Sequence, residues 1–308
     1  MTIAQSDASR PQRAARLRRV ALRPDILTVL PSGLVLIVFV YGFILWSFVL
    51  SLTSSRIAPV YDFVGLQQYA LLWANDRWIQ SLLNLATFGI VFVTMATLVG
   101  LVQAVFIDQK IRAEGVIRTI YLYPMAISFI VTGTAWKWML NPSLGLERLV
   151  RSWGWESFRF DWIVNPDMAI YTLAIAAIWQ SSGFSMAIFL AALRGIDGEI
   201  IKAARIDGAT TWQTFRSIIL PLLRPAFFTA IIVQVALALR CFDLMVAMTG
   251  GGPGFASDLP TNFFYQFAFG RSRLGFAAAS GIMIFVMVLA VMLPFIIWEL
   301  RHERRRER

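Results

Sequence analysis

The sequence predicts an all-α integral membrane protein with six transmembrane helices, on three observations. Of its 308 residues, 58% are hydrophobic and 15% charged, too little polar surface for a soluble protein of this size. Six windows reach the roughly 20 apolar residues that a helix needs to cross a bilayer: 31–52, 82–107, 119–140, 168–193, 226–248 and 275–298. Lys and Arg collect in alternate connections between these windows, as spans of fixed orientation require.

The first window follows an arginine-rich tail, residues 1–25, with Arg10, Arg13, Arg16, Arg18, Arg19 and Arg23. With a full-length apolar run and no small-residue cleavage site, this helix is expected to be a retained anchor. The tail is expected to be disordered or to lie on the anionic inner leaflet. The first span and an extracytoplasmic segment fill 26–80. The third window contains Pro124, expected to kink it without breaking it. Lys137, between Trp136 and Trp138, reads as an interfacial anchor, as do most other tryptophans. The fourth carries "WQSSGFSM" at its centre, where small residues allow close helix packing and Gln180 can bond across helices. In the fifth, Arg240 and Asp243 lie three apart and are expected to share a helix face. Either they form a local pair, or Arg240 reaches toward head groups, or both line a polar path. The sixth leads to a basic tail, 300–308.

Nineteen Lys and Arg residues fall on the side of the termini and seven on the other. Both termini and the connection 195–225 are thereby assigned to the cytoplasm. The net charge of +10 is mostly this topological signal; "RHERRRER" mixes signs and has no folded basic domain around it, so nucleic acid is not the expected partner. One His (His302) and one Cys (Cys241) exclude a Cys/His zinc site or a disulfide framework. No catalytic constellation appears within the spans.

The connection between the fourth and fifth windows contains "EIIKAARIDGATTWQTFRSIILP". Helix formers run from Glu199 to Ile206, Asp207-Gly208 breaks them, and Thr210 with Gln213 opens a second helix. Trp212, Phe215, Ile218 and Ile219 fall on one face of it, and Pro221 limits it. A helix pair of this kind is either a surface-lying connector or a lever for a groove in a cytoplasmic partner.

This segment resembles the "EAA" loop of binding-protein-dependent ABC importer permeases at Ala203, Ala204, Gly208, Ile218, Leu220 and Pro221, with Lys202 where the family usually has Glu. "WKWMLNPSLGLERLV", "FDLMVAMTGGGPG", "ILPSGLVLIVFVYGFILWSFVLSLTSS" and "FVGLQQYALLW" are similar, in order, to segments of the sugar-type permeases. "IRAEGVIRTIYLYPMAISFIVTGTAWKWMLNP" resembles permeases for glucose and mannose. The resemblance implies a type I importer permease fold, with 81–299 as the transmembrane domain and 195–225 as its cytoplasmic coupling loop. It implies a multi-pass subunit of the bacterial inner membrane, half of a sugar path. Implied partners are a second permease subunit, two cytoplasmic ATPase subunits and an extracytoplasmic solute-binding protein. Glu199, Lys202, Ala203, Ala204, Asp207 and Gly208 would meet the ATPase; Gln180, Ser181, Phe184, Arg240 and Asp243 are the substrate-path candidates. No phosphate loop of the form G-x-x-x-x-G-K-[ST] occurs, so ATP is expected to be used by a partner and no cofactor by this chain. A stand-alone secondary transporter or channel would need ion-coupling acids or a filter segment near the midplane. A membrane enzyme would need paired acids or a nucleophile and base.

Overall fold

The computed structural model describes residues 24–109 and 112–306. The arginines from Arg10 to Arg23, Lys110 and Arg308, all counted in the charge asymmetry, lie outside the described residues. Among the described residues the chain is helical, with a single isolated β-bridge, Thr53 to Phe63. The first span comprises α1 (Pro24–Leu36) and α2 (Gly42–Ser51), joined by the π-helical turn Ile37–Tyr41. After α3 (Gln67–Trp73), the side chain of Asn75 accepts a bond from the Trp78 amide and caps α4 (Asp76–Ile107). With 32 residues, α4 is about 48 Å long at 1.5 Å per residue and starts six residues before the apolar window.

The third window does not survive as one helix. α5 (Glu114–Leu122) passes into the 3₁₀ turn Tyr123–Ala126, Ile127 and Ser128 are extended, and α6 (Phe129–Met139) leaves at 99° to the preceding segment. Pro124 withholds an amide at this point, and Gln180 Nε2 donates to the freed carbonyl of Ile127 at 2.7 Å. The kink expected at Pro124 is therefore a break. After α7 (Leu146–Ser152), α8 (Ala169–Arg194) crosses unbroken.

α8 is followed by α9 (Gly198–Ile206), α10 (Thr211–Thr214), the π-helical turn Phe215–Ile219 and α11 (Leu220–Leu222). α12 (Arg224–Leu239) then departs at 62°. The fifth window also breaks: α12 stops at Leu239, and α13 (Asp243–Met248) starts anew after Phe242. Thr261 Oγ1 donates to the exposed carbonyl of Cys241 at 3.0 Å. Beyond α14 (Pro260–Tyr265) and the π-helical turn Gln266–Gly270, α15 (Leu274–Arg306) contains the last span and continues through most of the basic tail.

The core runs along α4 and α8, where small residues allow backbones to approach. A Cβ on Gly100 would run into Ser185, and one on Gly183 into the carbonyl of Tyr121. Gly133 serves α6 and α13 in the same way, against Ala247 and the carbonyl of Leu244. Gly183→Ala is accordingly expected to destabilise the fold by about 1–3 kcal/mol, since a backbone carbonyl cannot swing aside as a side chain can. A lowered melting midpoint in detergent checks this; an unchanged midpoint would mean that α5 shifts freely. Lys137 is exposed in the last turn of α6. One tryptophan departs from the interfacial expectation: Trp78 is fully buried against Phe263. Trp136 packs edge-on to Trp179 at 5.9 Å.

Candidate functional site

Between the two helix breaks lies a cavity of about 280 Å³, near the lower end of small-ligand pockets, roughly 300–1,000 Å³. One wall is aromatic. Phe88 and Phe92, one turn apart on α4, stack at 5.3 Å with an interplanar angle of 2°, and Phe129, the first residue of α6, joins them. The opposite wall is the second break, from Arg240 to Asp243, with Ser181 of α8 beside it. Ser181 Oγ donates to the Ala177 carbonyl at 2.7 Å, and Arg240 Nε to the Ala236 carbonyl at 3.3 Å.

Three of the five substrate-path candidates, Ser181, Arg240 and Asp243, thus meet on one cavity. Gln180 and Phe184 do not line it. Gln180 is buried and holds Ile127 at the first break; its amide supports the cavity rather than facing it. Arg240 and Asp243 do not share a helix face, because Arg240 caps the end of α12 while Asp243 begins α13. No ion pair joins them. Phe88, Phe92 and Phe129 escaped the sequence reading, although Phe88 and Phe92 share a face at i,i+4 spacing; Phe242 entered it within the "FDLMVAMTGGGPG" resemblance and not as a cavity residue.

A second built feature lies at the other end of α12. Asp197 caps α9 by accepting from the Glu199 amide at 2.9 Å. The helix closes with a Schellman pattern: Ala209 N–H donates to Ala204 O, and Gly208 N–H to Arg205 O. Gly208 has φ +82°, a conformation that favours glycine. Thr210 and Gln213 then form a reciprocal capping box, with bonds of 3.2 and 2.8 Å. Two helix ends are thus fixed within four residues, so α9 and α10 are held at a set angle.

Of the loop candidates, Ala204 alone is buried; Glu199, Lys202, Ala203, Asp207 and Gly208 are exposed. Lys202 Nζ bonds Glu199 Oε1 at 2.8 Å across one exposed turn of α9. Ile206, which the sequence reading passed over, is 85% exposed on the same short helix. Trp212, Phe215 and Ile219 line a groove of about 720 Å³ together with Asp108 and Gln109 at the end of α4. Ile218 does not line it, because the π-helical turn changes the register of the face. Arg194, at the end of α8, ties this end together through Glu114 at 2.6 Å and Asp108 at 3.8 Å.

Residues 96–308 match the family described as binding-protein-dependent transport system inner membrane component. A relative named as a probable ABC transporter permease protein, from Pyrococcus horikoshii, is 38% identical, over 94% of this chain and 100% of its own. The xylose/arabinose import permease protein of Haloferax volcanii is 31% identical, over 84% of this chain and 83% of its own. In three dimensions the chain resembles a bacterial ABC transporter involved in import of the acidic polysaccharide alginate. The TM-score is 0.80 at 22% identity, covering 93% of this chain and 99% of that one.

Proposed function

Since the chain belongs to the binding-protein-dependent transport system inner membrane components, we propose that it is one permease subunit of an ATP-driven sugar importer, with a small sugar of the glucose or mannose kind as cargo. As a transport component of that family, the chain has no ATPase site of its own. Its termini and the α9–α10 pair face the cytoplasm, where α9 seats in a groove of an ATPase subunit. A second permease subunit completes the path, two ATPase subunits supply ATP hydrolysis, and an extracytoplasmic binding protein delivers the sugar.

The observation that carries this reading is the path from the helix pair to the cavity: α10 leads through the π-helical turn, α11 and a 62° bend into α12, which ends at the cavity. A push on α9 turns the capped pair as one body, and α12 carries the displacement to Arg240. Gln234, fully buried at mid-helix, donates to Ser181 O at 3.2 Å and Ser185 Oγ at 2.8 Å, giving α12 a fixed contact with α8 about which to tilt. Closing one mouth of the cavity while opening the other is rigid-body alternating access. The aromatic wall suits the C–H face of a sugar ring, and Arg240 and Asp243 suit its hydroxyls. The xylose/arabinose relative supports a sugar as cargo.

The test is co-purification with the candidate ATPase, second permease and binding protein, followed by ATP hydrolysis in lipid with glucose, mannose and xylose. Sugar-stimulated hydrolysis is expected, and the stimulating sugar identifies the cargo. If no ATPase joins the complex and the chain alone moves solute down an ion gradient, the secondary-transporter reading replaces this one.

A further inference from the structure

At the end of the spans opposite α9, a cleft of about 560 Å³ opens between the segment after α2 and the start of α15. Its lining holds three arginines, Arg56, Arg271 and Arg273, with Ser54, Ser55 and Ser272, and no carboxylate. None of these arginines takes part in an ion pair among the described residues. The walls are fixed by backbone. Gly275 N–H donates to Ser55 O at 2.8 Å and Leu274 N–H to Arg56 O at 3.3 Å, and a Cβ on Gly275 would run into Thr53 O.

Two guanidinium groups are oriented in advance. Arg271 lies over the Phe267 ring at 4.8 Å and Arg273 over Phe276 at 4.9 Å. Stacking uses the flat face of a guanidinium and leaves its edge N–H donors free. Ser272, at φ +50°, turns the chain between them, and both line the cleft. Gln68 lines it too, with Nε2 donating to Thr53 O at 3.1 Å and Oε1 without a partner.

Three uncompensated guanidinium groups with hydroxyls beside them match the oxygens of a phosphate group, which accepts paired N–H donors. The cleft lies where two spanning helices end, at Ser51 and Leu274, and Ile57 on its rim is 83% exposed. Helices that cross a bilayer end near the head-group layer, where lipids carry their phosphates. We propose that this cleft binds a phosphate group, supplied by the head group of an anionic phospholipid.

Native mass spectrometry of the full chain with its partners, titrated with phosphatidylglycerol, tests the proposal. Arg56 contacts neither ring, so Arg56→Gln leaves both stacks in place and is the first variant to measure. It is expected to weaken lipid retention about ten-fold, the effect of one lost charge-assisted bond. Arg271→Gln/Arg273→Gln is expected to weaken it further, while Arg148→Gln, an exposed arginine of α7 outside the cleft, leaves retention unchanged. Equal retention by wild type and Arg56→Gln, with matching melting midpoints, overturns the proposal. Inorganic phosphate and glycerol 3-phosphate form the other arm. Displacement of bound lipid at millimolar concentration supports the phosphate chemistry; saturation by either anion with no lipid retained overturns the lipid as its source.

Discussion

Gly208→Pro is expected to lower sugar-stimulated ATP hydrolysis about ten-fold or more while the protein still assembles in the membrane, because three features of the α9–α10 junction fail together. Proline holds φ near −65°, whereas Gly208 sits at +82°. Proline also removes the amide that Gly208 donates to Arg205 O. It further disfavours the helical conformation of the preceding residue, and Asp207 is helical at φ −70° and ψ 0°. Gly208→Ala isolates the first of these: a Cβ there meets nothing within 4 Å, so its cost is the left-handed backbone alone, about 1–2 kcal/mol. A graded loss, alanine less than proline, measured as stimulated hydrolysis per assembled complex, identifies the fixed angle as the coupling element. Full stimulation in Gly208→Pro would mean that α9 moves independently of α10.

The helix pair was legible because every determinant of it is local. Gly208, Thr210 and Gln213 act within a few residues of their own backbone, and each does in the structure what its residue type implies. The apolar windows were legible by the same logic of length and composition: four are continuous spanning helices among the described residues, two more are bent helix pairs, and the fold of a known importer permease matches over 93% of the chain. The breaks were not. A hydropathy window averages over three residues of irregular backbone, and no Gly or Pro marks the stretch from Arg240 to Phe242; its freed carbonyl is satisfied by Thr261, 20 residues away. Gln180 shows the same limit from the other side. Its polarity in a span points to a ligand or to a helix contact, and the Ile127 carbonyl that its Nε2 meets lies 53 residues away in the sequence. Phe88 and Phe92 lie among 24 phenylalanines in a largely apolar chain, where spacing alone selects none of them for a cavity.

Arg240→Gln and Asp243→Asn are each expected to raise the apparent KM for sugar uptake into proteoliposomes about ten- to a hundred-fold, the effect of losing a hydrogen bond to a charged group of about 1.5–3 kcal/mol. Both side chains are exposed to the cavity side of a helix break, and neither pairs with the other, so the substitutions remove no internal ion pair. The double variant separates the two readings of this charged couple. Residues that bond each other are coupled, and the second substitution then costs little; residues that reach separately toward a ligand add. Because Arg240 ends α12 and Asp243 begins α13, the two losses are expected to add. A double variant no worse than either single one would instead place the pair together in a state of the transporter where the break has closed, making the ion pair a latch of that state rather than a contact to the sugar.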